Sequence, residues 1–253
     1  MTEVTETATS AEVYARQRDD DWSTFVAGSG APADHWEIWK DESFDWRPEI
    51  SFFQPVGVDH PDLLEPIQPL LDVLEGMEEI DLPPLSFLHL RSLRIGFLRA
   101  EDIMWSQVES YYVNAAPRIH KVAPFSIHVG GISAHEDALY LGVDDGFALR
   151  ELRRQVALGV PKIHTSMREQ GVSWPDDDPF VPEIPFAYFT GRGDRRAVIE
   201  AVESYRDADL GTYEQTMYKL GRIGSDPQIH YPSLDVIAEI RLLGDDHRKG
   251  YHN

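Results

Sequence analysis

The stretch Phe87-Leu88-His89-Leu90-Arg91-Ser92-Leu93-Arg94-Ile95-Gly96-Phe97 sits in an apolar-rich run, residues 85–98, that reads as a β-strand. Side chains two apart in a strand share a face, so His89 and Arg91 project to the same side. A second run, Val181-Pro182-Glu183-Ile184-Pro185-Phe186-Ala187-Tyr188, lies in a strand predicted over residues 180–190. The same alternation puts Glu183 and Pro185 on one face there. An imidazole beside a guanidinium on one strand, and a carboxylate on another, can bind an anion and move a proton.

Outward from these strands, the order of elements repeats. After residues 85–98, Met104, Val108 and Tyr111 mark a helix. Paired strands follow over 124–131 and 138–143, and Leu149, Leu152 and Val156 mark another helix. After residues 180–190 come a helix marked by Val198, Ala201, Val202 and Tyr205, then strands over 212–223 and 229–243 across a Ser225-Asp226-Pro227 turn. Upstream, residues 49–56 read as a strand, and Pro61 opens a helix carrying Leu63, Ile67, Leu70 and Leu74. The expected fold is α+β: two pseudo-symmetric lobes, each an antiparallel sheet with helices on its outer side, facing a central cleft.

That two-lobed body is expected over residues 49–243. Residues 1–21 read as a flexible acidic tail, 22–48 as an ordered tryptophan-rich extension, and 244–253 as a C-terminal tail. Trp22, Trp36, Trp39 and Trp46 are too many aromatics for disorder, and core packing is their expected role.

Composition narrows the chemistry. The chain has 253 residues and no cysteine, so thiolate and disulfide chemistry are excluded. Lys+Arg 23 against Asp+Glu 44 gives a net charge of −21, which disfavours long nucleic acid as a partner and favours a small-molecule substrate. No apolar run reaches the roughly 20 residues that cross a bilayer. The polar N-terminus lacks the pattern of a secretory signal, and a cytoplasmic location is expected.

The two motif strands resemble those of the 2H phosphoesterases, which include the LigT-like 2′,5′ RNA ligases and cyclic nucleotide phosphodiesterases. In that family each lobe presents one His-x-Thr/Ser motif to the cleft, one histidine acting as base and the other as acid. Residues 87–97, with their apolar-Gly-Phe end, resemble the first motif strand, and Pro124-Phe125-Ser126-Ile127-His128-Val129-Gly130-Gly131 resembles the strand after it. Ala138-Leu139-Tyr140-Leu141-Gly142-Val143 resembles the next, and Val181 to Tyr188 the second motif strand. His89 matches the first histidine, whereas Arg91 stands where the hydroxyl residue belongs. Glu183 takes the place of the second histidine and Pro185 that of its hydroxyl residue.

The resemblance therefore implies His89 and Glu183 as catalytic residues. Arg91 and Tyr188 are the expected substrate-binding residues, together with His128, whose place two residues after Ser126 points it either into the cleft or into the core. No cofactor and no metal are expected. Three functions stay open. One is a divergent enzyme using His/Glu acid–base chemistry on a small anionic metabolite of a specialised biosynthetic pathway. The others are a 2′,3′-cyclic nucleotide phosphodiesterase and an inactive ligand- or protein-binding member. In the inactive case an Arg91–Glu183 ion pair would close the old site.

Other motifs read as incidental. His164-Thr165-Ser166 fits His-x-Ser but falls outside both motif strands. His135-Glu136-Asp137 and Asp176-Asp177-Asp178 read as solvated loops without metal-site spacing. Tyr188 and Tyr140 read as packing residues rather than catalytic acids.

Overall fold

The computed structural model describes residues 8–163, 179–231 and 234–248. Its strands are β1 (Glu49–Gln54), β2 (Ile80–Asp81), β3 (Leu90–Phe97), β4 (Phe125–Ala134), β5 (Ala138–Asp144), β6 (Glu183–Phe189), β7 (Asp209–Gln215), β8 (Met217–Ile223) and β9 (Leu234–Arg241). The helices are α1 (Ser10–Ala27), α2 (His35–Glu42), α3 (Val56–Asp59), α4 (Gln68–Leu74), α5 (Trp105–Ile119), α6 (Ala148–Gly159) and α7 (Arg195–Val202).

The strands form two antiparallel sheets, ordered β3-β1-β8-β9 and β2-β6-β5-β4-β7. Every residue of β1 is buried, as suits a strand paired on both sides. The lobes exchange strands. The hairpin β4–β5, which follows β3 in sequence, pairs with β6, while β8 and β9, which follow β6, join the sheet of β3. Each motif strand thus lies in the sheet that the other half of the repeat completes. Helices α5 and α6 pack together against β9 and β3, and α1 lies across β4 and β5. One apolar core, including Phe52, Leu93, Ile132, Leu141, Ile184 and Phe189, runs through both sheets.

The strand expected over residues 85–98 opens with a 3-10 turn at Leu85–Phe87, and β3 begins only at Leu90. Four further expectations change. Residues 212–223 are not one strand: the chain passes from β7 to β8 at Thr216, leaving one sheet for the other. Buried Gln215 fastens that crossing through its Nε2, which donates to Gln54 Oε1 at 2.9 Å and to the Met217 carbonyl. The strand expected over 229–243 begins only at Leu234. The helix expected after Pro61 is a 3-10 turn over Pro61–Ile67 followed by α4, broken where Pro66 and Pro69 withhold backbone N–H groups. Its apolar face is buried as expected, at Leu63, Ile67, Leu70 and Leu74.

The fourth change concerns the tail expected over residues 1–21, which is corrected from Ser10 onward. There α1 begins, capped by Thr9 and Glu12 in a reciprocal capping box, and it runs through the expected boundary at residue 21. It docks because Tyr14, Trp22 and Phe25 are buried, Phe25 stacking on Phe189 with ring centroids 5.3 Å apart. On the same surface Arg18 lies over Gly131 and Gly142, so close that a Cβ at Gly131 would come within 2.6 Å of its guanidinium. Residues 1–7 and 249–253 lie outside the described residues, as do His164-Thr165-Ser166 and Asp176-Asp177-Asp178.

Candidate active site

A cavity of about 180 Å³ opens between the two sheets, and its lining brings together His89, Arg91, Glu183, Pro185 and Tyr188. The alternation of the motif strands accounts for Arg91, Glu183 and Pro185, while a register shift in β6 against β5 brings Tyr188 to the same face. Leu90 and Ser92 are buried beside exposed Arg91, and Ile184 and Phe186 are buried beside partly exposed Glu183 and Pro185.

His89 precedes β3 directly and is buried, with Phe53 and Phe87 presenting ring edges to it. Its Nδ1–H donates to the Phe87 carbonyl at 2.6 Å. That bond selects the tautomer, leaving Nε2 as the nitrogen with a lone pair. Burial lowers the His89 pKa to about 4, against the raising effect of the Phe87 carbonyl, with nearby Arg91 adding to the fall. At neutral pH His89 is a neutral imidazole, the form a base needs.

Arg91 does not pair with Glu183. Its Nη1 donates to Glu49 Oε2 at 3.2 Å, and Arg94 Nη1 approaches the same oxygen at 3.9 Å. Glu49 is fully buried on β1, so it supplies a fixed negative charge beneath the two arginines. The guanidinium of Arg91, 41% exposed, lies 5.8 Å from the Trp39 ring and keeps further N–H donors for a ligand. The ion pair that would have closed the cleft does not form between these two residues.

Glu183 begins β6, and its Oε2 lies 2.7 Å from His135 Nε2. His135 and Asp137, at the β4–β5 turn, line the cavity, which corrects the reading of that turn as a solvated loop. The His135 ring stacks on buried Tyr140 at 4.6 Å, and Tyr140 donates its hydroxyl proton to Asp21 Oδ2 at 2.7 Å. Burial works against a charge on His135. The hydrogen bond and charge of Glu183, joined by Asp21 and Asp137, outweigh it and raise the imidazole above its ordinary pKa. Tyr188 is buried, burial pushing its phenol pKa upward, with the His35 ring packed on it at 4.1 Å.

His128 belongs elsewhere. It is exposed on β4, beside a separate depression that includes Arg18 and Asp207, and its Nε2 lies 3.0 Å from Asp209 Oδ1. The substrate-binding role expected for it is corrected, because its side chain leaves β4 away from the cleft.

The remaining wall comes from α2, in the tryptophan-rich segment. His35, Trp36 and Trp39 line the cavity. His35 Nδ1 meets Asp137 Oδ2 at 2.7 Å, and Trp36 Nε1–H donates to Asp81 Oδ2 at 2.8 Å. Both tryptophans are nearly buried, so they pack the core and form the wall at once. Among the described residues, no three His, Cys, Asp or Glu side chains group to hold a metal ion. No described helix is long and apolar enough to cross a membrane.

Solved structures share this architecture. TT0787 of Thermus thermophilus is 19% identical over 79% of this chain and 99% of its own length, with a TM-score of 0.53. A phosphoesterase crystal structure is 14% identical over 78% of this chain and 98% of that one, with a TM-score of 0.50. E. coli LigT in its apo form reaches 15% identity and a TM-score of 0.49 over 78% of this chain and 98% of that one. No family model matches the sequence, and no curated protein matches it. The chain has the two-lobed 2H phosphoesterase fold expected from its motif strands.

Proposed function

We propose that the protein is an enzyme that performs acid–base chemistry on a small anionic metabolite held in the cleft between its two sheets. The observation that carries this reading is the meeting of His89 and Arg91, from one sheet, with Glu183, from the other, in one cavity lining. His89, neutral through burial and with Nε2 free of the Phe87 bond, is the base. Arg91 anchors the anion, taking over from the hydroxyl that the family pattern places there. Glu183, with His135 hydrogen-bonded to it, forms the opposing arm.

Opposed base and acid arms around an anchored anion suit in-line displacement at a phosphodiester, and 2′,3′-cyclic nucleotides are the first substrates to try. The arginine and glutamate in place of the motif residues favour a substrate other than a nucleotide, so further small phosphoesters and carboxylates belong in the same screen. The expected result is turnover that His89→Ala lowers at least about 100-fold while ligand binding persists. Binding without turnover in the wild-type protein would favour the inactive, ligand-binding reading. Turnover unchanged in His89→Ala would sink the assignment of the base.

A further inference from the structure

We propose that His135, rather than Glu183, is the proton donor of the cleft, acting through Nδ1, and that Glu183 is the positioning carboxylate that holds its ring. The proposal rests on the acid–base reading above and names the residue that completes it.

The geometry of the β4–β5 turn carries the inference. Glu183 Oε2 engages Nε2 of His135 at 2.7 Å, so in its neutral form the ring keeps its proton on Nε2 and exchanges the other at Nδ1. Tyr140, stacked at 4.6 Å, fixes the ring plane from β5. The carboxylate nearest Nδ1 is Asp21 on α1, whose Oδ2 stands 4.0 Å away, beyond hydrogen-bond reach and already accepting from Tyr140. Among the described residues Nδ1–H has no hydrogen-bond partner, on a side chain 39% exposed that belongs to the cavity lining. The arrangement follows the logic of a carboxylate–histidine pair, in which the carboxylate sets tautomer and orientation and the far nitrogen does the proton transfer.

His89 has the complementary arrangement, with Nδ1–H tied to a carbonyl and Nε2 open. The groups around His135 are Glu183 from β6, Asp21 from α1, Asp137 from the turn and Tyr140 from β5. Three carboxylates favour the imidazolium, whereas burial and Arg91 favour neutral His89. Two imidazoles pushed apart in this way divide the roles of acid and base. In a hydrolysis, water loses a proton to His89 Nε2 as its oxygen bonds to phosphorus. The leaving oxygen takes the proton from His135 Nδ1 as its own bond to phosphorus breaks. Exchange with solvent then returns both rings to their starting states.

The test is a pH titration of ¹⁵N-histidine-labelled full-length protein by long-range ¹H–¹⁵N spectra, the His135 signals being assigned by their loss in His135→Gln. Expected for His135 are the Nε2–H tautomer and a midpoint above about 6.5; for His89, the Nδ1–H tautomer. Glu183→Gln, which can still accept from Nε2–H but carries no charge, should lower the His135 midpoint by about one unit or more. Inorganic phosphate added to the wild-type protein should shift His135 Nδ1 and raise its midpoint further. An Nδ1–H tautomer at His135, or a midpoint indifferent to both Glu183→Gln and phosphate, would overturn the proposal. These spectra need no turnover, so a protein that shows them yet converts no substrate would fail as an enzyme without disturbing the pairing of His135 with Glu183.

Discussion

At the scale of single residues, the environment of His89 couples its chemistry to folding. Its pKa lies near about 6.5 in the unfolded chain and is lowered to about 4 in the fold. Between those values the unfolded chain binds the extra proton, so stability rises with pH across the window. The contribution is complete above the unfolded value and is lost as pH falls through the folded one, and it amounts to about 3 kcal/mol. Denaturant unfolding of wild type and His89→Asn across that range should show the wild-type advantage shrinking on acidification; parallel curves would show that His89 is not buried neutral. Arg91→Lys keeps a positive charge over Glu49 but loses the planar fork, so KM for an anionic substrate should rise about tenfold with the fold intact. An unchanged KM would remove Arg91 from the anion site. Arg91, Glu183 and Pro185 could be read in the sequence because strand alternation fixes which face they take, whereas His89 sits just ahead of β3 and Tyr188 reaches the Glu183 face only through the register shift of β6 against β5. His135 and Asp137 could not be read: their turn lies at the Tyr188 end of β6 while Glu183 pairs opposite Gly142, and His135 reaches Glu183 only by lying over Tyr140 across the face of the sheet.

At the scale of elements, α1 is where local pattern says least. Its apolar contacts, Tyr14, Trp22 and Phe25, are sparse among acidic and polar residues, and its stability comes from docking rather than from a continuous apolar stripe. Phe25→Ala should therefore cost about 3–5 kcal/mol, measured from denaturant midpoints. A loss below about 0.5 kcal/mol would show that α1 is not held to the sheet through Phe25. Helix α6 was legible because helical periodicity runs its whole length, and β1, β4 and β5 because each is a short apolar-rich run between turn residues. The split of 212–223 into β7 and β8 was not, because both pieces have strand-like composition and the change of sheet at Thr216 is a tertiary event. The tryptophans of α2 stood out by number, but the cavity beside them depends on Asp81 and Asp137 fixing Trp36 and His35 from other elements.

At the scale of the whole molecule, strand exchange between the lobes places each motif strand opposite the other and makes the cleft a property of both sheets together. A net charge of −21 surrounds it, so an anionic ligand of the kind proposed would enter through the local field of Arg91 against the surface as a whole. A small ligand feels less of that repulsion than a long polyanion. If the two sheets act on one substrate, residues contributed by each must work as a unit. The most direct measurement is kcat/KM, on the best substrate from the phosphoester screen, for His89→Ala, Glu183→Ala and the double variant. Groups acting on one transition state should lose together, the double variant falling no more than about tenfold below the worse single one. Losses that multiply, or a Glu183→Ala variant as active as wild type, would contradict a shared acid–base centre across the cleft.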